Sequence, residues 1–313
     1  MKAIALLLAA FVGVAQADYP DKPIHLIVPF AAGGGADTIA RVIAEGLARN
    51  LKQPVLVENK AGGDSTIGSA FVAKSAPDGY TLLFGTNTGM SGAPALHKNI
   101  GYDPARDFTP VSQLGFFAFF LVVSPELPVR TLRELVDYAR ANPGKLNYAS
   151  GNAMGIIATA QLRAAEKLDM VHVPYKGEAP ALPDLISNRV QMLFATGFIV
   201  PHVKEGKVRA IVAVLDNRSA ALPDVPTAAQ AGWPDLAIRG WAGLFGPAGM
   251  PNDVTARLSK EVAEVLRSTA VQEQLALQGF IGRATTPMEL AAFTRNQLDR
   301  WAAATRVAGI QPD

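Results

Sequence analysis

Ile24-His25-Leu26-Ile27-Val28-Pro29-Phe30-Ala31-Ala32-Gly33-Gly34-Gly35-Ala36-Asp37 decides the architecture of this chain. Its first five residues are a short run with three β-branched side chains, which predicts a buried strand. A glycine cluster then stops the strand. Over residues 37–51 the apolar positions recur at helical spacing, with Ile39, Val42, Ile43 and Leu47 on one face. Strand, glycine turn and helix make the first half of a βαβ unit. Residues 55–57 supply a second strand and residues 66–75 a second helix. Pro77-Asp78-Gly79 marks a turn before a third strand over residues 80–85. Such alternation packs as a parallel sheet with right-handed crossovers.

The same texture returns later. Thr131 is placed to cap a helix reaching Arg140, with Glu134 three residues on completing a capping box. Asn142-Pro143-Gly144 ends that helix. Strands follow over residues 146–149, 171–174, 190–195 and 208–215, separated by helices over residues 155–168 and 179–186 and a short one over 201–205. The run FFAFFLVV, residues 116–123, reads as one buried strand. Two helices, residues 252–267 and 287–306, close the chain. The expected fold is α/β in two lobes, residues 18–120 with 236–313 and residues 121–235. The chain crosses between them twice, near residues 115–123 and 238–245. Ligands of open α/β sheets bind beyond the carboxyl ends of the strands, and two facing lobes form a cleft that can close.

Composition narrows the function classes. Of the 313 residues 49% are hydrophobic and 18% charged, which leaves ample apolar surface to drive folding and argues against disorder. The formal charge of +2 leaves no electrostatic footprint for nucleic acid or an acidic membrane surface. With no cysteine, disulfides, thiolate nucleophiles, iron–sulfur clusters and Cys-type zinc sites are all excluded. The four histidines, His25, His97, His172 and His202, do not fall at metal-ligand spacing. At the N-terminus, Lys2 precedes an uncharged apolar run over residues 4–14 and the A-x-A site Ala15-Gln16-Ala17. That run is shorter than the roughly 20 residues of a membrane-spanning helix. It reads as a secretory signal cleaved after Ala17, and the exported product as periplasmic.

Two strand-to-helix loops are candidates for binding. In the first, Phe30, Ala31, Ala32, Gly33 and Gly34 precede a helix whose first amides attract an anion. A dinucleotide site conflicts with Thr38 at the third glycine position and with Asp37 where pyrophosphate would sit. A tight turn with no ligand remains open. The second loop is Ser150, Gly151, Asn152, Ala153 and Met154, at the equivalent place in the other lobe. Substitution at Gly33, Gly34 or Gly151 is expected to block backbone approach to the ligand. Thr86, Asn87, Tyr175 and Thr196 also follow strands; Lys176 reads as a loop lysine and His172 as a hydrogen-bonded structural residue. No G-x-S-x-G elbow or phosphate-binding G-x-x-x-x-G-K-[ST] loop occurs.

Several further stretches appear in one order: Val57-Glu58-Asn59-Lys60-Ala61-Gly62, Ala76-Pro77-Asp78-Gly79-Tyr80-Thr81, Tyr102-Asp103-Pro104 with Asp107-Phe108, His172-Val173-Pro174-Tyr175-Lys176-Gly177 and Leu222-Pro223-Asp224-Val225-Pro226-Thr227. Together with the glycine loop, they make the chain resemble the Bug-type extracytoplasmic solute receptors of tripartite tricarboxylate transporters. The resemblance implies a periplasmic-binding-protein (Venus-flytrap) fold and a monomeric, non-catalytic receptor with no cofactor and no metal. It implies a small organic carboxylate as ligand, membrane permease subunits as partners, and the two loops as the site, with Thr86, Asn87, Tyr175 and Thr196 as neighbours. Two positions depart from the family pattern. Ile156 stands where many relatives carry a histidine, and Asp64 where glycine is frequent. The lost polar group points to a mono- or dicarboxylate with an apolar part rather than citrate. An exported sensor, or an exported enzyme on the same scaffold, stays open as an alternative.

Overall fold

The computed structural model describes residues 19–234 and 239–312. The signal segment over residues 1–17 and the lobe boundary at 235–236 lie outside the described residues, as does the first residue of the crossing expected at 238–245.

The first sheet is built around the predicted βαβαβ unit. β1 (Ile24–Val28), α1 (Gly35–Leu51), β2 (Val55–Asn59), α2 (Thr66–Ala73) and β3 (Thr81–Thr86) follow one another, and β1 lies between β2 and β3, parallel to both. A π-helical turn at Thr88–Gly92 runs into α3 (Ala93–Leu96), and β4 (Phe108–Phe117) returns to the sheet. The second sheet takes β5 (Phe119–Val123), α4 (Leu132–Ala141), β6 (Asn147–Ser150), α5 (Ala153–Glu166), β7 (Val171–Pro174), α6 (Glu178–Ile186), β8 (Met192–Thr196), α7 (Val200–Lys204) and β9 (Arg209–Val214). The chain then re-enters the first sheet through β10 (Gly240–Pro247), α8 (Asn252–Arg267), α9 (Thr269–Leu277), β11 (Phe280–Gly282) and α10 (Pro287–Val307). Strand orders are β11-β4-β10-β3-β1-β2 and β7-β6-β8-β5-β9. β10 runs antiparallel between β3 and β4, and β5 antiparallel between β8 and β9.

Burial explains why these segments hold. Ile39, Ile43 and Leu47 of α1 pack with Ile24, Leu26 and Val28 of β1 in one core, where each fully buried aliphatic side chain contributes about 1.5–3 kcal/mol. Among the described residues no helix is long and apolar enough to cross a membrane.

Three local expectations are corrected. FFAFFLVV is not one strand. It breaks at Ala118, whose N–H donates to Gly279 O at 2.7 Å, so that β4 and β5 serve different sheets. At Thr131 only half of the capping box forms. Its hydroxyl accepts from Glu134 N–H at 3.2 Å, but the Glu134 carboxylate turns to Arg130 N–H. Helix α9 has no counterpart in the sequence reading. Its buried positions are Val271 and Leu275 alone, and no side chain caps its start, so little periodicity announces it.

Candidate functional site

The glycine loop after β1 is shaped by Asp37 rather than left open. Asp37, 3% exposed, accepts from Gly33 N–H and Arg41 Nε through Oδ2 and from Asn59 Nδ2 through Oδ1, at 2.9, 3.0 and 2.9 Å. Burial opposes its ionisation, but these hydrogen bonds hold its carboxyl below the usual carboxylate range. The Gly33 amide is therefore engaged inside the loop. Gly33 has φ +81° and no protein atom within 4 Å of where a β-carbon would stand, so within the protein its requirement is conformational. Ala31 N–H is also engaged: it donates at 3.3 Å to Lys176 O in the second lobe. The first turn of α1, at Gly35 and Ala36, offers a ligand helix amides that have no carbonyl partner within the helix.

The second-lobe loop is likewise knitted. Asn152 caps α5, its Oδ1 accepting from Gly155 N–H at 2.8 Å. This moves the helix start to Ala153. Ala153 N–H donates across the cleft to Thr88 Oγ1 at 3.3 Å, and Met154 is fully buried. Ser150 Oγ pairs with His172 Nε2 at 2.6 Å, and the imidazole stacks on Tyr148. Burial pushes His172 below the ordinary imidazole range, which favours the neutral ring.

Glu178 at the start of α6 is the residue that the sequence reading misses. It is 7% exposed, yet carries a carboxylate. Oε1 accepts from Asn152 Nδ2 at 2.7 Å, while Oε2 accepts from Thr196 N–H at 2.9 Å and Thr196 Oγ1 at 2.7 Å. Loss of water outweighs these three donors and pushes its pKa up to about 7.

Between the lobes lies a narrow cavity lined by Phe30, Ala31, Gly34, Gly35, Ala36, Thr86, Asn87, Thr88, Phe117, Phe119, Asn152, Glu178 and Thr196. Seven of the expected residues meet there: Phe30, Ala31, Gly34, Thr86, Asn87, Asn152 and Thr196. Gly151 and Tyr175 line a neighbouring cleft with Asp64 and Lys176, and Tyr175 Oη donates to Asp184 at 2.6 Å. Ala32, Gly33, Ser150, Ala153 and Met154 line neither. Gly35, Ala36, Phe117, Phe119 and Glu178 join the wall unannounced, and Thr88 joins it beside Thr86 and Asn87, with which it follows β3. For Gly35 and Ala36 the signal was present, because the first turn after a glycine loop is where free amides gather.

Asn87 gives the cavity a polar direction. Its Oδ1 accepts from Trp241 N–H at 3.1 Å, which fixes the amide orientation. Its Nδ2, on a residue 2% exposed, has no hydrogen-bond partner. Phe30, Phe117 and Phe119 supply an apolar wall, and no cationic side chain among the described residues lines the space. A buried free donor, helix-start amides and aromatic walls suit an anionic head on an apolar body.

Comparisons with known proteins agree with this arrangement. A profile of the tripartite tricarboxylate transporter family receptor matches residues 39–310. Protein BugT of Bordetella pertussis (strain Tohama I) is 35% identical, over 94% of this chain and 91% of its own length. Among solved structures, the periplasmic binding protein BugD superposes with a TM-score of 0.90 at 31% identity, over 94% of this chain and 100% of its own. Rpa4515 of R. palustris with adipate superposes with a TM-score of 0.91 at 31% identity, over 95% and 100%. The two sheets and the paired loops are thus those of a periplasmic binding protein, and the chain belongs to the tripartite tricarboxylate transporter receptor family.

Proposed function

We propose that this protein captures a small organic carboxylate between its lobes, residues 18–120 with 236–313 and residues 121–235, and hands it unchanged to membrane permease subunits. Receptors of its family are periplasmic, and the signal pattern ending at Ala17 supports export. The observation that carries the reading is the unpartnered, buried Nδ2 of Asn87, a residue that lines the cavity together with three phenylalanines. An oxygen anion satisfies that donor, and the first-turn amides of α1 add further N–H groups to it. The adipate held by Rpa4515, a diacid with an apolar middle, is chemistry of the same kind. Because the lining comes from both sheets, a bound ligand favours the closed arrangement in proportion to its differential affinity for it.

Mass spectrometry of the small molecule released on denaturing the purified protein tests the reading directly, with calorimetry on a carboxylate panel beside it. The expected result is a mono- or dicarboxylate with an apolar segment, bound more tightly than citrate and recovered chemically intact. Clear preference for citrate, or conversion of the ligand on mixing, overturns it.

A further inference from the structure

A second space lies between the lobes, beyond the strand that links them. Successive strand residues point to opposite faces, and at the end of β4 Phe117 lines the narrow cavity of the cleft whereas Phe116 lines this other one. Its volume is about 750 Å³, within the range of small-molecule sites. One wall is α10, with Phe293 and Trp301. The other belongs to the second sheet and its helices, with Gln161 of α5 and Val214 of β9. One residue of each wall keeps a buried polar atom with no hydrogen-bond partner among the described residues: Trp301 Nε1, on a residue 1% exposed, and Gln161 Oε1. Native interiors seldom leave such atoms unpaired. The first is a donor and the second an acceptor. The charged residues of the lining need nothing further, since Asp216 and Arg239 pair with each other and Arg300 is engaged as well. The unmet demand is therefore neutral: one acceptor and one donor, beside an apolar surface.

We propose that this space is a second, regulatory site for a neutral amphipathic molecule, an alcohol, phenol or primary amide on an apolar body, whose polar group accepts from Trp301 N–H and donates to Gln161 Oε1. The site goes beyond the carboxylate cleft and does not depend on what that cleft holds. Because its walls belong to different lobes, an occupant favours the arrangement in which both are within reach. That is the arrangement of this structure, in which Ala31 N–H reaches Lys176 O and Ala153 N–H reaches Thr88 Oγ1 across the cleft. Trp301 connects the two spaces. The edge of its indole remote from Nε1 packs on Gly92 so tightly that a β-carbon there would lie 3.1 Å from Cζ3 and nearer still to the Ala153 β-carbon. Gly92 ends the turn that begins with Thr88, a residue of the cleft wall. Occupancy of either space therefore raises affinity at the other, and the coupling is reciprocal.

Magnetic resonance of the indole N–H groups tests this. Trp233, Trp241 and Trp301 supply all the indole signals, and Trp233→Phe and Trp241→Phe assign that of Trp301 by elimination. Titration with benzamide or benzyl alcohol is expected to shift the Trp301 signal saturably. N,N-dimethylbenzamide and benzyl methyl ether accept a hydrogen bond but cannot donate one. They should bind at least about tenfold more weakly, and Gln161→Leu should remove that difference. Small-angle scattering should show the ligand-free protein becoming more compact as the better probe saturates. If neither benzamide nor benzyl alcohol shifts the signal, or the methylated probes do so equally well, the site is overturned and ordered water alone fills the space. A saturable shift without compaction overturns the regulatory coupling. None of these outcomes bears on the carboxylate reading of the cleft, which stands or falls on the molecule released from it.

Discussion

Gly35 and Thr196 face each other across the cleft so closely that a β-carbon on Gly35 would lie 2.9 Å from Thr196 Cβ and nearer still to its hydroxyl. One residue opens α1 on the first sheet and the other ends β8 on the second. The Thr196 hydroxyl is itself committed to Glu178, so it cannot swing aside without exposing a buried acceptor. Closure therefore requires hydrogen, not methyl, at position 35. Gly35→Ala is expected to weaken carboxylate binding at least tenfold, about 1.4 kcal/mol. Stability of the ligand-free protein should change less than ligand affinity, because lobes not tied together by a ligand can part around the methyl. Calorimetry and small-angle scattering check this: affinity and ligand-induced compaction should fall together, and unchanged affinity would mean that the lobes need not approach so far.

Much of this was legible in the sequence because it is local. The period of Ile39, Ile43 and Leu47 and the glycine stop after β1 each act within a few residues of themselves. Glu178 was not legible. A glutamate in the first turn of a helix reads as a solvated charge favouring the dipole. Its burial depends on Asn152 and Thr196, 26 positions before it and 18 after it, and no spacing rule links the three. Phe117 and Phe119 read as strand core for the same reason. Only the break at Ala118, made by a hydrogen bond to Gly279, lets both line the cavity. The loop amides carried the opposite error. Sequence shows that they exist but not that Asp37 and Thr88 already occupy those of Gly33 and Ala153.

Asn87→Asp isolates the free donor. The substituted carboxylate retains an acceptor for Trp241 N–H, so the fold keeps that hydrogen bond. It replaces an unpartnered N–H group by an anionic oxygen facing the ligand carboxylate. Hydrogen bonds to charged groups contribute about 1.5–3 kcal/mol, and the like charge adds to the loss. Carboxylate affinity is expected to fall at least a hundredfold by calorimetry, with far-ultraviolet circular dichroism unchanged. An Asn87→Asp variant that binds as tightly as wild type would remove Asn87 from the site.

Asp37→Asn tests the loop clamp. The carboxylate serves three donors, Gly33 N–H, Arg41 Nε and Asn59 Nδ2. An amide offers one oxygen and turns its NH2 group on at least one of those donors. Urea unfolding should report a loss of about 1–3 kcal/mol. Ligand affinity should drop as well, since the loop that carries Phe30 and Gly34 to the cavity is no longer held. In wild type the folded carboxyl titrates below its ordinary value. Its contribution therefore persists at neutral pH and disappears only as the pH falls through that lowered value.

Glu178 acts on stability in the opposite sense. Its folded pKa, about 7, lies above its ordinary value of 4.5, so between those values the folded state holds a proton that the unfolded chain releases. Stability of the ligand-free protein from this group is greatest at acid pH and declines as the pH rises through about 7, by about 3 kcal/mol in all. His172 slopes the other way: its depressed folded pKa makes stability rise with pH as the unfolded imidazole loses its proton. The comparison that separates them is urea unfolding of wild type and Glu178→Gln at pH 5 and pH 8. Wild type should lose more stability than the variant over that interval, and the difference between the two proteins is the contribution of Glu178. Parallel slopes in the ligand-free proteins would show that water reaches the glutamate and that its burial does not govern its charge.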